Sequence, residues 1–325
     1  MRQFVITGAA GFIGFHATLA LLKQEKDSVV VGIDNMNPYY DVELKRSRLA
    51  QLTDYPNFIF YAYDISSLED MKCLTSRHPD TTHVLHLAAQ AGVRHGLTHP
   101  LSYAHTNLLG FVHIIEACRH WKKLEHLLYA SSSSVYGGNT KYPFSVQDPV
   151  RHPLSLYAAT KQSNELIAYA YHHAFHLSCT ALRFFTVYGP WGRPDMAIFL
   201  FTKALFEDQP LTLFNEGNMW RSFTFIDDIV DSVIHLLRAP PFTAPLYQLL
   251  NLGSNNMHSI KEVLEILEHL TQRKASIQRE PAHIMDVPKT QAGLDHQDLI
   301  FESKTPLAVG LERFVTWYKQ FYLGA

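Results

Sequence analysis

The run Thr7-Gly8-Ala9-Ala10-Gly11-Phe12-Ile13-Gly14 constrains the fold more than any other segment of the chain. Its glycines stand between residues 4–6, an apolar run typical of a buried strand, and residues 15–22, a run typical of a helix. In that order the backbone can approach a pyrophosphate closely, with the phosphates against unpaired amides at the helix N-terminus. The sequence therefore predicts a dinucleotide-binding loop with contacts from Gly8, Gly11, Phe12, Ile13 and Gly14.

The amino-acid composition limits the classes of protein to which this chain can belong. The 325 residues are 47% hydrophobic and 18% charged, which is enough for a large core in one α/β domain or in two lobes. A formal net charge of -2 provides no basic field for nucleic acid or an anionic membrane, so an anionic ligand must be bound by individual cations. Cys73, Cys118 and Cys179 have neither metal-ligand spacing nor a disulfide pattern, which predicts reduced thiols and a cytoplasmic location.

Signals for export, membrane insertion and metal binding are missing from the sequence. The three glycines of the loop would interrupt the apolar core of a signal peptide, and no run of about 18 apolar residues could span a bilayer. The 19 histidines form no H-E-x-x-H motif, so we expect no metal site. We expect neither a membrane nor a nucleic-acid partner.

Apolar strand-like runs alternate with helical runs along the first half of the chain. This alternation predicts an α/β fold, a Rossmann-type doubly wound parallel sheet whose ligands bind at the carboxyl ends of the strands. After the first strand, the predicted strands are residues 29–33, 58–63, 83–87, 126–130 and 180–184.

Proline, glycine and tryptophan become frequent after Tyr188, which indicates a change of domain. Residues 1–187 are the predicted nucleotide-binding domain, with a return segment near residues 222–252. Residues 188–325 are predicted to form mainly a smaller substrate-binding lobe, with substrate in a cleft between the lobes. Pro240, Pro241 and Pro245 indicate a surface loop.

An acidic residue, Asp34, follows the second predicted strand, 20 residues beyond Gly14 (34 − 14). A carboxylate at this spacing accepts hydrogen bonds from the adenosine ribose, so Asp34 and its neighbour Asn35 favour NAD over NADP. A helix cap is the alternative role for Asp34. Three nearby cations could instead attract a 2′-phosphate: Lys45, Arg46 and Arg48. Asp64 and Ile65, after the third strand, are predicted to meet the adenine.

The strongest catalytic pattern is Tyr157-Ala158-Ala159-Thr160-Lys161, which follows a serine run at residues 131–134. On a helix, residues four apart share a face, so the Lys161 ammonium can lower the pKa of the Tyr157 phenol from about 10 and make it a base. A serine of the upstream run could hydrogen-bond the same substrate oxygen. The alternative is a surface pair with no role in catalysis.

Several stretches resemble the extended short-chain dehydrogenase/reductases and, within them, the UDP-glucuronate 4-epimerases. They are the glycine loop and residues 34–41, 86–94, 131–137, 155–161 and 183–196. The resemblance implies that Tyr157 takes the proton from the sugar O4 while hydride leaves C4 for tightly held NAD. The 4-keto sugar then turns and receives the hydride on its other face.

The resemblance also implies residue roles. Ser132, Tyr157 and Lys161 are the implied catalytic residues. The implied cofactor contacts at the fourth strand are Leu87, Ala88 and Ala89, and the implied sugar contacts on the same half of the chain are Gln90, Arg94, Ser133 and Ser134. Thr186 and Arg193 are implied to hold the sugar carboxylate, Arg221 the diphosphate and Asp286 the uridine ribose. An ion pair with a loop carboxylate such as Asp195 is the alternative role for Arg193.

Four residues depart from the family pattern: His95, Met285, Lys289 and Gln291. They leave open which base and sugar are accepted, so UDP-glucuronate decarboxylase and UDP-glucose 4-epimerase remain alternatives. A dehydratase would need an acid beside the catalytic serine, where Ser133 and Ser134 stand. A catalytically silent NAD-binding regulatory protein is the alternative from another class. Predicted helices over residues 98–121 and 157–175 are long enough to pair across a two-fold axis, which predicts a homodimer.

Overall fold

The computed structural model describes residues 1–238, 247–282, 285–294, 301 and 303–324. The predicted loop at Pro240, Pro241 and Pro245 lies outside these residues. Ten α-helices are described: α1 (Phe12–Gln24), α2 (Val42–Thr53), α3 (Leu68–Arg77), α4 (Pro100–Tyr103), α5 (Gly110–His120), α6 (Leu156–Phe175), α7 (Ala197–Phe206), α8 (Ile226–Arg238), α9 (Ile260–Thr271) and α10 (Leu307–Tyr318).

Fourteen strands are described along the same residues. They are β1 (Gln3–Thr7), β2 (Val29–Ile33), β3 (Phe58–Tyr61), β4 (His83–His86), β5 (His126–Ser132), β6 (Cys179–Phe184), β7 (Thr186–Tyr188), β8 (Leu211–Phe214), β9 (Trp220–Arg221), β10 (Phe223–Phe225), β11 (Tyr247–Leu252), β12 (His258–Ser259), β13 (Ile277–Glu280) and β14 (Lys289–Thr290).

A seven-stranded sheet has the order β11-β6-β5-β4-β1-β2-β3. The pairs β1 with β2, β1 with β4, β2 with β3 and β4 with β5 are parallel. The chain runs outward from β1 to β3 and then returns to start β4 on the other side of β1. Such a reversal opens a crevice at the carboxyl ends of β1 and β4, where doubly wound sheets bind ligands. The predicted doubly wound fold is confirmed.

The strands of this sheet are apolar because the sheet is buried on its faces. Val5, Val31, Val84 and Leu127 come from four strands and belong to one buried cluster, together with Phe111 of α5. The core therefore fixes the strands whose ends carry the predicted cofactor and catalytic residues.

The helix expected over residues 98–121 is interrupted. Helix α4 is followed by a π-helical turn, Ala104–Leu109, before α5 begins. The turn contains the buried Asn107, whose side chain hydrogen-bonds the backbone of Gln90. That bonding is tertiary, so the apolar pattern of the segment does not reveal it. The strand expected over residues 58–63 also ends earlier, at Tyr61.

The chain divides into two compact units. The first contains Met1–Asn139, Pro149–Arg183 and Val230–Leu250, and the second contains Thr140–Asp148, Phe184–Ile229 and Asn251–Ala325. Within the second unit, β7 pairs with β10, β8 with β13, and β9 lies between β12 and β14.

Candidate active site

The glycine loop follows β1 and is shaped by contacts that exclude side chains. Gly8 has φ +72°, and a Cβ atom there would lie 2.9 Å from the amide nitrogen of Ala88. The Gly11 amide donates to the Gly8 carbonyl at 2.9 Å. A Cβ atom on Gly14 would lie only 2.0 Å from that same carbonyl oxygen. The loop therefore turns tightly against β4 and against its own helix, and only glycine fits at these positions.

The loop leads into the N-terminus of α1, which is open to an anion. Gly11, the N-cap residue, provides no side chain to bond the first amides, and no acidic residue lies in the first turn. Phe12 is buried and Ile13 half-buried in that turn. Unbonded amides and the positive end of the helix dipole favour a phosphate group. The predicted loop thus has the shape and polarity that a dinucleotide diphosphate requires.

Asp34 lies at the end of β2, beside the loop, and is buried. Its carboxylate accepts hydrogen bonds from the Met36 amide at 2.9 Å and from Lys45 Nζ at 3.3 Å. Arg48 is fully buried and donates to the carbonyl of Ala10 at 2.9 Å. Arg46 donates to the Glu43 carboxylate at 3.3 Å. All three cations near Asp34 are thus engaged within the protein, and Arg48 supports the glycine loop. The position of Arg48 in a helical segment of the sequence did not indicate this contact with the glycine loop.

The end of β3 is joined to the end of β2 by polar side chains. Asn35 Nδ2 donates to Asp64 Oδ2 at 3.0 Å, and Ser66 donates to Asp64 Oδ1 through its amide and its hydroxyl. Burial raises the pKa of Asp64, but these hydrogen bonds outweigh it and hold the pKa below its usual value. Ile65 is buried beside it. The structure thus brings the predicted ribose and adenine residues together at one edge of the sheet.

The end of β4 is fastened to β1 through Thr7, a residue that the sequence did not single out. Thr7 Oγ1 accepts hydrogen bonds from the amides of Leu87 and Ala88 at 3.1 and 3.0 Å, and it lies 2.8 Å from His86 Nδ1. Burial, with the nearby charge of Lys161, lowers the pKa of His86 to about 3, so its imidazole is neutral. The contacts of the Thr7 hydroxyl therefore fix residues 87–88 against β1. Ala89 follows, half-buried.

Gln90 is held by Asn107, which the sequence also did not reveal as a site residue. The Gln90 amide donates to Asn107 Oδ1 at 2.7 Å, and Asn107 Nδ2 donates to the Gln90 carbonyl and to Thr160 Oγ1, each at 3.1 Å. Arg94 is exposed at the start of a short 3₁₀ turn. His95 in that turn stacks on the ring of His99 with 4.3 Å between centroids. Position 90 is thus fixed by buried bonds, whereas Arg94 lies at the surface.

Tyr157 and Lys161 lie one turn apart on α6, as predicted. The helix begins just before Tyr157 because Ser155 caps it. Lys161 is 1% exposed, and its Nζ lies 5.9 Å from the centroid of the Tyr157 ring. Nζ donates to the carbonyl of Ala130 at 2.8 Å. Burial lowers the pKa of Lys161 to about 8, so the ammonium form predominates at neutral pH. A positive charge is therefore held beneath the phenol ring.

Ser132 ends β5, directly after the residues that contact α6. It is buried, and its Oγ accepts from the Ser134 amide and donates to Ser134 Oγ, each at 3.1 Å. Ser133 and Ser134 are half-buried in the 3₁₀ turn that follows. Because Lys161 bonds the carbonyl two residues before Ser132, the structure places the serine run and the Tyr157 helix side by side.

A buried ion pair, which the sequence did not predict, joins the same elements. Glu165, one turn beyond Lys161, accepts from Arg183 Nε and Nη2 at 2.9 and 2.8 Å and from Ser131 Oγ at 2.5 Å. Arg183 also donates to the Tyr136 hydroxyl at 3.1 Å. Removing one charge of such a pair would leave the other buried and unpaired. The spacing of four residues between Tyr157 and Lys161, the predicted site residues of α6, continues to Glu165 and is the signal that could have found it.

The second unit contains the remaining predicted substrate residues. Arg193 forms a two-point ion pair with Asp195, with Nε to Oδ1 at 3.0 Å and Nη2 to Oδ2 at 2.5 Å. Thr186 is half-buried at the start of β7.

The predicted diphosphate and ribose residues are electrostatic neighbours in this unit. Arg221 Nη1 donates to the Trp220 carbonyl at 2.8 Å, and burial lowers the pKa of Arg221 while the charge of Asp286 opposes that shift. Two departures from the family pattern are also resolved here: Lys289 Nζ lies 5.5 Å from the centroid of the Tyr142 ring, and Gln291 Nε2 donates to the Asn255 carbonyl at 3.0 Å.

Two findings concern only the described part of the chain. Its histidine, cysteine, aspartate and glutamate residues form no group of three or more that could hold a metal ion. None of its helices is both long enough and apolar enough to cross a bilayer.

A glycine loop, an acid after the second strand and a Tyr-Lys pair beside a serine strand together define the short-chain dehydrogenase/reductase class of NAD-dependent enzymes. The chain belongs to the NAD dependent epimerase/dehydratase family, which it matches over residues 4–253.

Relatives extend the likeness over nearly the whole chain. Protein CapI of Staphylococcus aureus is 42% identical over 338 residues, which cover 98% of this chain and 99% of that protein. UDP-glucuronate 4-epimerase 2 of Arabidopsis thaliana is 43% identical over 334 residues, covering 98% of this chain and 76% of that protein. The crystal structure of UDP-glucuronic acid 4-epimerase from Bacillus cereus, in complex with UDP-glucuronic acid and NAD, has a TM-score of 0.92 at 33% identity. It covers 99% of this chain and 100% of that one.

These matches confirm the predicted family, fold and cofactor: the protein is an NAD-dependent nucleotide-sugar epimerase. The roles of the individual site residues stay predictions.

Proposed function

We propose that this protein catalyses the NAD-dependent 4-epimerisation of UDP-glucuronate to UDP-galacturonate. The observation that carries the proposal is the buried Lys161 ammonium 5.9 Å from the centre of the Tyr157 ring, in the unit that contains the glycine loop. The choice of a uronic acid is supported by the Arabidopsis thaliana relative and by the ligand of the Bacillus cereus structure.

In this proposal the residues of α6 and β5 move one proton. The Lys161 ammonium stabilises the Tyr157 phenolate, which takes the proton from the sugar O4. The Ser132 hydroxyl hydrogen-bonds the same oxygen and orients it. NAD, bound by the glycine loop, Asp34 and Asp64, supplies the chemistry of accepting and returning the C4 hydride. After the 4-keto sugar has turned, Tyr157 returns the proton and the site regains its starting state.

The carboxylate at C5 makes the 4-keto intermediate a β-keto acid, which loses CO2 when the bond to the carboxyl carbon stands perpendicular to the carbonyl plane. An epimerase must prevent that alignment. We assign this task to Arg193 with Thr186, because a guanidinium can fix the plane of a carboxylate through two hydrogen bonds and an ammonium cannot. In the same proposal Arg221 neutralises the diphosphate and Asp286 bonds the uridine ribose.

The test is NMR of the purified protein with UDP-glucuronate and no added cofactor. We expect conversion to UDP-galacturonate, because NAD that is regenerated in each cycle need not leave the enzyme. The appearance of CO2 and a UDP-pentose as the main products would identify a decarboxylase instead. Turnover of UDP-glucose alone would identify a UDP-glucose 4-epimerase, and no product from any UDP-sugar would support a silent NAD-binding protein.

We further propose a cytoplasmic homodimer. The free thiols of Cys73, Cys118 and Cys179 support a reducing compartment. Helix α6 packs against α5 and the π-helical turn before it, and this helical pair presents exposed apolar side chains. Leu166 is 67% exposed and Tyr169 is 56% exposed, three residues apart on α6. An apolar patch on paired helices is a surface that a second copy can bury around a two-fold axis.

Leu166→Glu is expected to weaken this dimer by at least about 30-fold, because a residue near the centre of an interface contributes about 2 kcal/mol or more and the new carboxylate would be buried. Light scattering after size exclusion should show twice the chain mass for the wild type and the single-chain mass for the variant. Leu200→Glu, at an exposed leucine of α7 in the second unit, is the matched control and should stay dimeric. A wild-type monomer at micromolar concentration would contradict the proposal.

A further inference from the structure

The loop that carries Arg193 has an unusual backbone at Trp191. Trp191 has φ +62°, a left-handed conformation that a bulky side chain rarely adopts. Two glycines flank Trp191 in this loop. The Gly192 amide donates to the Gly189 carbonyl at 3.1 Å and so closes the turn. A side chain would not fit at position 189, because a Cβ atom there would lie 2.5 Å from Ile226 Cγ2. Such a residue persists only where its surroundings compensate for the strain.

The compensation comes from an aromatic contact with the C-terminal segment. The Trp191 ring lies 5.3 Å from the Trp317 ring and 4.9 Å from the Phe321 ring, centroid to centroid. Trp317 and Phe321 stack on each other at 5.7 Å with 16° between their planes. Trp317 belongs to α10 and is buried, and Phe321 belongs to the π-helical turn Lys319–Leu323 that follows. We call these three residues the aromatic clamp.

The aromatic clamp is separated from Arg193 by a single residue, Gly192. The Arg193 guanidinium is oriented by its two-point ion pair with Asp195 in the same loop. A backbone shift at Trp191 therefore carries both partners of that ion pair with it. Displacements of about 1 Å at a positioned group can cost about 100-fold in rate, so the clamp sets how well Arg193 can meet a carboxylate.

We propose that Trp191, held by Trp317 and Phe321, is a positioning residue that orients Arg193 against the sugar carboxylate and thereby suppresses its loss as CO2. The inference rests on the proposed function. In the suppressed side reaction the bond between C5 and the carboxyl carbon breaks and CO2 leaves. The electron pair of that bond passes into the C4 ketone as an enolate, C5 then takes up a proton, and a UDP-4-ketopentose results.

The test uses the full-length protein with uniformly ¹³C-labelled UDP-glucuronate and measures the ratio of decarboxylated to epimerised product. This ratio does not depend on the fraction of folded enzyme, so a merely structural role would not move it. We expect Trp191→Ala to raise the ratio, and the KM for UDP-glucuronate, by about 10-fold or more. Trp191→Phe should restore both values to within about threefold of the wild type, since it keeps an aromatic ring in the clamp.

Phe321→Ala tests the clamp from the other side and should raise the ratio in the same direction, even where Trp191→Ala folds poorly. Phe206→Ala is the matched control, because Phe206 is a half-buried ring that stacks on Tyr318 of α10 at 5.6 Å. It should leave the ratio unchanged. Arg193→Ala gives the upper limit of decarboxylation.

A wild-type ratio and KM in both Trp191→Ala and Phe321→Ala would overturn the inference while leaving the proposed function intact. A wild-type enzyme that does not epimerise UDP-glucuronate would instead defeat the proposed function itself.

Discussion

Tyr157→Phe is expected to lower the kcat for epimerisation by about 10³-fold, because it removes the hydroxyl that we propose exchanges a proton with the sugar O4. The ring, its packing and the adjacent Lys161 ammonium stay in place. We therefore expect the NAD content of the purified variant and the KM for UDP-glucuronate to stay close to those of the wild type. The measurement is product formation by NMR, normalised to NAD-loaded protein.

Tyr171→Phe is the matched control for this substitution. Tyr171 is on the same helix, and its hydroxyl donates to Glu116 Oε2 at 3.0 Å. The control loses a phenol hydroxyl without touching the predicted site, so it should turn over at the wild-type rate. Full turnover by Tyr157→Phe would show that another group moves the proton, and the assignment of the base would have to be abandoned.

Gly14→Ala is expected to produce the second large effect, a loss of bound NAD. The added Cβ would lie 2.0 Å from the Gly8 carbonyl oxygen and 2.8 Å from the Gly8 carbonyl carbon, and neither is a flexible side chain. Forcing a methyl group into such a contact costs about 1–3 kcal/mol. Because about 1.4 kcal/mol is a tenfold change in affinity, the bound NAD should fall by about 10-fold or more. Absorbance of the cofactor released on denaturation measures this directly.

Gly138→Ala is a suitable control for the Gly14 substitution. A Cβ on Gly138 would meet only Leu154 Cδ2, at 3.9 Å, which is an ordinary contact. The control should retain NAD and melt at the wild-type temperature. If Gly14→Ala also retained a full complement of NAD, the loop would not be the diphosphate site.

The sequence predicted features that depend on short-range spacing. The glycine loop, Asp34 after the second strand and the pair Tyr157 and Lys161 each follow from a fixed distance along the chain within one element or between adjacent elements. Helix and strand periodicity are local properties, so the order of residues along the chain is enough to place these side chains on their elements. The strand alternation likewise predicted the doubly wound sheet.

Residues whose role depends on distant partners could not be predicted in this way. Thr7 bonds backbone about 80 residues further along the chain (87 − 7), and Arg48 reaches back to the Ala10 carbonyl. Asn107 is in a π-helical turn, where the apolar pattern predicts regular helix. None of these contacts leaves a periodic signal, because each is created by the packing of separate elements.

The amino-acid sequence by itself determined the chemistry available to this protein: a loop that only glycine can form, an acid beside it, and a phenol and an amine on one helical face. The tertiary structure decided what holds these groups in place. They are supported by the ion pair between Glu165 and Arg183 near the serine run, and by the aromatic clamp next to Arg193. The physical reason is that covalent spacing fixes which side chains share an element. Only the folded chain brings the burial and the long-range partners that set their charge and orientation.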